Sequence, residues 1–226
     1  MSHPAAAPAL DAVLAARTVP GTAVLVVVLR GGHWPYSCGL ARTVRAMAPR
    51  LAAAGAEVLL LAAEPAARRR AVSAAWRLPF RWLPEAVTEP VARELGTWDP
   101  ASGRALDALG LLSPDGKWLR HQSYDDPGAG DPPEAFLTAP RQAALPPAPV
   151  GRAVTASHAD PSVITLGQAA GTLLRALTAA DRLARRLPPS SPAAERAERT
   201  RARLAQFLDA VTDGTPPRRE GGSTAP

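Results

Sequence analysis

One short stretch concentrates the side chains with reactive or polar ends: Arg30-Gly31-Gly32-His33-Trp34-Pro35-Tyr36-Ser37-Cys38. Cys38 is the sole cysteine of the 226 residues, so it cannot close an internal disulfide. A thiol acts as a nucleophile only as the thiolate, a form favoured by the amides at a helix N-terminus. Cys38 therefore has two readings. It is either a one-cysteine nucleophile in the first turn of a helix, or a small apolar residue packing that helix on a sheet. His33 has the chemistry of a general acid or base, against the alternative of a solvent-facing loop histidine. Tyr36 either donates a hydrogen bond to a ligand or packs against the helix start. His3, His33, His121 and His158 show no metal-ligand spacing, and with one cysteine no metal site is expected. There is no phosphate-binding glycine loop and no Gly-x-Ser-x-Gly elbow, and no cofactor is expected.

These residues are placed by what flanks them. Residues 23–29 form a continuous apolar run rich in valine, the pattern of a strand buried on both faces. After the Gly31-Gly32 break, Leu40, Val44, Met47, Ala48 and Leu51 mark one face of a helix over 37–54. Pro49 predicts a kink or an early end to it. Gly55 stops the helix, and residues 56–62 read as a second buried strand, so that the unit is parallel. Helices are expected over 9–17, 65–76 and 87–95, with an extended segment at 80–83. Pro114-Asp115-Gly116-Lys117 between two apolar runs predicts a hairpin.

Residues 126–160, rich in proline, glycine and aspartate, read as a wrapping loop in which Phe136 and Leu137 mark a short helix. Two helical patterns follow, 163–187 and 193–211. The first carries Leu166, Ala170, Leu173, Leu174, Leu177 and Leu183 on one stripe, the second Leu204, Phe207, Leu208 and Val211. They form a hairpin that packs either on the domain or on a second subunit. The organisation expected is thus a domain over 1–125, the loop 126–160, a helical hairpin over 161–213 and a disordered tail over 214–226.

The net charge of +6 invites a nucleic-acid partner, but the basic residues are spread along the chain beside acidic ones, as on solvated helix faces. No nucleic-acid partner is expected. The longest apolar run is far short of the roughly 20 residues of a membrane span, and no signal peptide is visible. A cytoplasmic protein without a membrane partner is the expectation. Arginine supplies all but one of the basic residues, the exception being Lys117, and alanine and proline abound, as in GC-rich bacterial coding.

The order of these features resembles a known family. The strand over 24–29, Arg30-Gly31-Gly32-His33 and Trp34-Pro35-Tyr36-Ser37-Cys38 look like the Arg-Gly-x-Trp-Cys-Pro-Tyr-Cys segment of the peroxiredoxin-like group of the alkyl hydroperoxide reductase/thiol-specific antioxidant superfamily. Leu78-Pro79-Phe80-Arg81-Trp82-Leu83-Pro84-Glu85, Gly96 and Leu111-Leu112-Ser113-Pro114-Asp115-Gly116 resemble later motifs of that group, and the likeness covers residues 10–125. It implies an α/β, thioredoxin-like three-layer sandwich with a mixed sheet, to which the helical hairpin is added. It also implies where the chemistry has changed. Trp34 stands at the first cysteine of the motif and Ser37 at the second, while Cys38 falls one residue later, about 100° further round the helix. Asp107 takes the place of the arginine that would stabilise a thiolate, and a carboxylate there does the reverse. Trp34 either plugs the former pocket or walls it for a ligand.

The resemblance therefore implies a fold that has lost its dithiol. The leading expectation is a small-molecule-processing enzyme of bacterial specialised metabolism, with Cys38, His33 and Asp107 as catalytic candidates. Trp34, Tyr36, Ser37 and Arg30 are its substrate-binding candidates. The alternatives are a one-cysteine thiol peroxidase using Cys38, and a non-catalytic binding or assembly protein. A homodimer through the C-terminal helices is expected in addition.

Overall fold

A computed structural model describes residues 6–126, 130–143, 145–151 and 160–212. In chain order these form α1 (Ala6–Ala15), β1 (Ala23–Val28), α2 (Pro35–Ala53), β2 (Ala56–Leu61), α3 (Ala66–Ala75) and β3 (Arg81–Trp82). A 3-10 turn at Glu85–Val87 leads into α4 (Thr88–Glu94), β4 (Trp98–Asp99), β5 (Arg104–Ala105), β6 (Ala108–Leu112) and β7 (Trp118–Ser123). A second 3-10 segment, Pro133–Leu137, precedes α5 (Thr138–Gln142), α6 (Leu166–Ala184) and α7 (Pro192–Thr212). The expected tail, as well as His3 and His158, lies outside the described residues.

The main sheet runs β3-β2-β1-β6-β7. β1 pairs in parallel with β2, and β2 with β3, whereas β6 lies antiparallel to β1 and to β7. A parallel β-α-β unit flanked by an antiparallel hairpin on the other side of its first strand is the thioredoxin-like arrangement. β1 is central, and every one of its side chains is buried. Ala23, Leu25 and Val27 enter a core shared with α2, α6 and α7, while Val24, Val26 and Val28 face a second core with α1 and α4. The result is an α/β sandwich of three layers with a mixed sheet.

Two expectations are corrected in part. Pro49 does not end its helix, since α2 continues to Ala53 with Pro49 inside it. The stripe read on the first C-terminal helix holds at Leu166, Ala170, Leu173 and Leu177, which lie in or against the core, and fails at two positions. Leu174 and Leu183 stand 42% and 53% exposed, and the buried face of α6 is Ala169, Ala170, Leu173 and Ala180. Ala169 and Ala180 take places on the buried face, and Leu174 and Leu183 are left on the rim. α6 and α7 pack against each other and on α2 of the same chain. The entry to α6 is fixed by a capping box, in which Thr165 accepts from the Gln168 N–H and the Gln168 side chain accepts from the Thr165 N–H.

Candidate functional site

The C-terminal end of β1, the neighbouring end of β2 and the start of β6 meet at the turn into α2, where open α/β sheets commonly place their sites. Trp34 caps α2, and Pro35 occupies its first turn, where the absent N–H costs nothing. Ser37 and Cys38 follow in that turn. The backbone N–H of Cys38 already donates to the Trp34 carbonyl at 3.2 Å, as the first closed helical hydrogen bond.

Asp107 sits just before β6 and is wholly buried, with 0% of its surface exposed. Its Oδ1 accepts the Ser37 hydroxyl at 2.6 Å and the Arg30 backbone N–H at 2.9 Å. Its Oδ2 is buried and has no partner among the described residues. Burial pushes the Asp107 carboxyl up to about 7, and the hydrogen bonds from Ser37 and Arg30 only partly oppose that shift. A carboxyl with this value exchanges its proton near neutral pH, which suits a general acid or base. The Asp107 carbonyl accepts from the Tyr124 N–H at 2.6 Å, which anchors the residue to the end of β7.

The Gly31-Gly32 crossing brings a second carboxylate into the same turn. Glu64, just past β2, accepts the Gly32 N–H on Oε1 at 3.1 Å, and its Oε2 is buried without a partner among the described residues. Gly31 has φ of 151°, and a Cβ on it would come within 2.9 Å of Glu64 Oε1. A Cβ on Gly32 would lie 2.5 Å from Val72 Cγ2. Only glycines let the backbone pass so close to Glu64 and α3.

Outside this buried pair lies a layer of rings and cations. The Arg30 guanidinium stands 4.5 Å from the centre of the Trp34 ring and pairs with Asp125 at 3.1 Å. Trp34 and Tyr36 meet edge to face with centroids 5.7 Å apart. Burial raises the Tyr36 hydroxyl above its usual range. His33 is exposed, and its Nε2 lies 3.0 Å from Arg104 Nη1. An arginine can only donate, so Nε2 is the acceptor and the ring is neutral. Burial lowers its pKa, and the Arg104 charge lowers it further.

Arg30, Trp34, Tyr36, Ser37 and Asp107 are thus linked through contacts, and His33 stands at the outer edge of the same turn. Cys38 is not part of this group. It is 0% exposed, belongs to the core between the sheet and α2, and burial alone raises its thiol pKa. We expect native Cys38 to react with iodoacetamide at least about a hundredfold more slowly than in the denatured chain. Mass spectrometry of alkylated native protein measures this, and rapid stoichiometric labelling would contradict it. Glu64 and Arg104 were not visible as site residues from the sequence. Glu64 carried one available signal, its place directly after a buried parallel strand.

Among the described residues no group of three or more His, Cys, Asp or Glu side chains is placed to hold a metal ion, and no helix is long and apolar enough to cross a membrane. No protein-family model and no curated protein matches the chain. Several solved structures do. AhpC of Enterococcus faecalis aligns with a TM-score of 0.48 and 17% identity, over 54% of this chain and 75% of its own. The peroxidoxin BcpB of Mycobacterium tuberculosis gives a TM-score of 0.46 and 18% identity, over 59% of this chain and 84% of its own. The bacterioferritin comigratory protein of Xanthomonas campestris gives 0.45 and 17%, over 55% and 81%.

Proposed function

We propose that this chain processes a small molecule by proton transfer at the Asp107–Ser37 pair, in place of dithiol exchange. The observation that carries this reading is the 2.6 Å hydrogen bond from Ser37 to a buried carboxyl whose pKa stands at about 7 and whose second oxygen is unpartnered. Asp107 takes or returns a proton, and Ser37 relays it or holds the carboxyl in orientation. The Tyr36 and Ser37 amides, which lie before the first closed helical bond, stabilise a carboxylate or an enolate-like intermediate. Arg30 over Trp34 supplies a cationic, flat wall for the substrate, and neutral His33 is a second proton-transfer candidate at the rim. Cys38 packs among apolar core side chains, and burial raises its thiol pKa away from the reactive thiolate, which speaks against a one-cysteine peroxidase.

Specialised metabolism is the setting proposed for this activity. A domain over 1–125 would carry the site, with the hairpin over 161–213 buttressing α2. The exposed Leu174 and Leu183 on α6 support a homodimer through the C-terminal helices; a monomer in sedimentation at micromolar concentration would overturn it. The complete burial of Ser37 and Asp107 favours one other reading, a binding or assembly protein in which the pair only braces the turn.

Complementation separates these readings without a known substrate. A strain lacking the gene is supplied with the wild type, Asp107→Asn or Cys38→Ala, and its metabolites are profiled. The expected result is that Cys38→Ala restores the wild-type profile, whereas Asp107→Asn, present at equal soluble level, leaves the profile of the deletion. Full restoration by Asp107→Asn would overturn the proposal, and failure of Cys38→Ala alone would return the thiol to the mechanism.

A further inference from the structure

α7 carries a feature that the Asp107 site does not use. A cavity of about 420 Å³ is lined by Gly130, Pro132, Arg199, Ala202, Arg203 and Gln206. Arg199, Ala202, Arg203 and Gln206 are spaced three and four apart, so one face of α7 forms the wall. Arg203 is only 7% exposed, which is rare for an arginine unless it is paired. Its guanidinium lies 5.1 Å from the centre of the Tyr124 ring, and its Nη1 is buried with no hydrogen-bond partner among the described residues.

The carboxylates whose charge reaches Arg203 are engaged elsewhere. Asp131 pairs with Arg120, and Glu134 accepts from Gln206 Nε2 at 2.6 Å. A buried cation with an unused donor is costly, and a group that supplies negative charge and acceptor oxygens relieves that cost. Guanidinium forks match carboxylate and phosphate oxygens in geometry.

We propose that this cavity binds a small anion of the phosphate or carboxylate type, held by Arg203 and Arg199 with the Gln206 amide at its edge. The site is separate from the Asp107–Ser37 pair and does not depend on the chemistry proposed there. The ring of Tyr124 nevertheless lies against Arg203 while its N–H holds the Asp107 carbonyl, so the two sites share one anchoring residue.

The test is calorimetric titration of the full chain with inorganic phosphate and, separately, with succinate, at low ionic strength to limit screening. We expect saturable binding of at least one of them below about 10 mM, a range in which one or two charge-assisted contacts register. Arg203→Gln should weaken that binding at least about tenfold. Arg199→Glu, at an exposed position on the cavity wall, should weaken it similarly without touching the core. Binding of phosphate alone assigns a phosphate-bearing ligand, and binding of succinate alone a carboxylate. No saturable heat with either anion overturns the proposal, as does binding that Arg199→Glu leaves unchanged, and the second arm decides even if Arg203→Gln fails to fold. Because Asp107→Asn keeps the Arg203 wall, its phosphate titration should match the wild type, so either proposal can fail alone.

Discussion

Replacing Asp107 with asparagine should remove a fall in folding stability that the wild type shows as pH rises from about 4 to about 7. In the folded protein burial sets the Asp107 pKa at about 7, while an unfolded aspartate titrates near about 3.9. Between those values the native state holds a proton that the unfolded state has released. Stability therefore declines with rising pH across this window and levels off above it. A difference of about three units corresponds to on the order of 4 kcal/mol. His33 works in the opposite sense. Its lowered pKa makes the unfolded state the better proton binder near pH 6, so its contribution is lost as pH falls. Asp99, Asp115, Asp160 and Glu198, all held below their usual values by hydrogen bonds, act mainly below the window.

The informative quantity is therefore the difference between the two proteins, in which His33 and the surface carboxylates cancel. Urea unfolding at a series of pH values should show Asp107→Asn gaining on the wild type steadily from about pH 4 to 7, because asparagine stays neutral throughout. Parallel curves would mean that the carboxyl has an ordinary pKa in the folded chain. The proton-transfer reading would then lose its physical basis.

How far the sequence carried is clearest at particular residues. The valine-rich run at 23–29 has no polar alternation, and only a strand covered on both faces tolerates that, so the centre of the sheet was legible. Pro114-Asp115-Gly116 set the hairpin through local turn chemistry alone, and Gly116 does adopt φ of 84°. The exposure of Leu174 and Leu183 on α6 was not legible, because leucine spacing passes over Ala169 and Ala180, the small residues that a close helix contact buries. Of the two outcomes that Pro49 allows, a kink or an early end, the early end does not occur. A proline late in a helix removes one hydrogen bond, and the residues after it still continue the helix to Ala53. Within the site, the contiguous stretch 30–38 could be read as a unit. Glu64 and Arg104 could not, since Glu64 reaches Gly32 only through the pairing of β1 with β2, and Arg104 reaches His33 from β5, 71 residues further along the chain. The burial of Cys38 depended on the rotation of α2, and a single residue of register decides between the helix mouth and the core.

That rotation is held from the far side by α7, which leads to the second large expected effect. Phe207 is wholly buried in the core with α2, and a Cβ on Gly39 would come within 2.6 Å of the Phe207 Cβ. The two helices therefore touch backbone against ring, directly beside Ser37 and Cys38. Arg42, one turn further along α2, donates from Nε to the Ala210 carbonyl at 3.0 Å and from Nη1 to the Trp76 carbonyl at 3.3 Å. Phe207→Ala opens a cavity at this contact and should cost about 3–5 kcal/mol, a large part of the stability of an ordinary domain. If the hairpin is integral to the fold, urea unfolding remains one cooperative transition, shifted to lower denaturant. An unchanged main transition, preceded by a separate loss of helical signal, would instead make α6 and α7 an appendage. In the integral case the variant should also loosen the hydrogen bond between Ser37 and Asp107, since α2 presents Ser37 on the turn that α7 clamps. Above pH 7 the buried carboxylate would then lose its strongest donor, and the stability gap to the wild type should widen as pH rises.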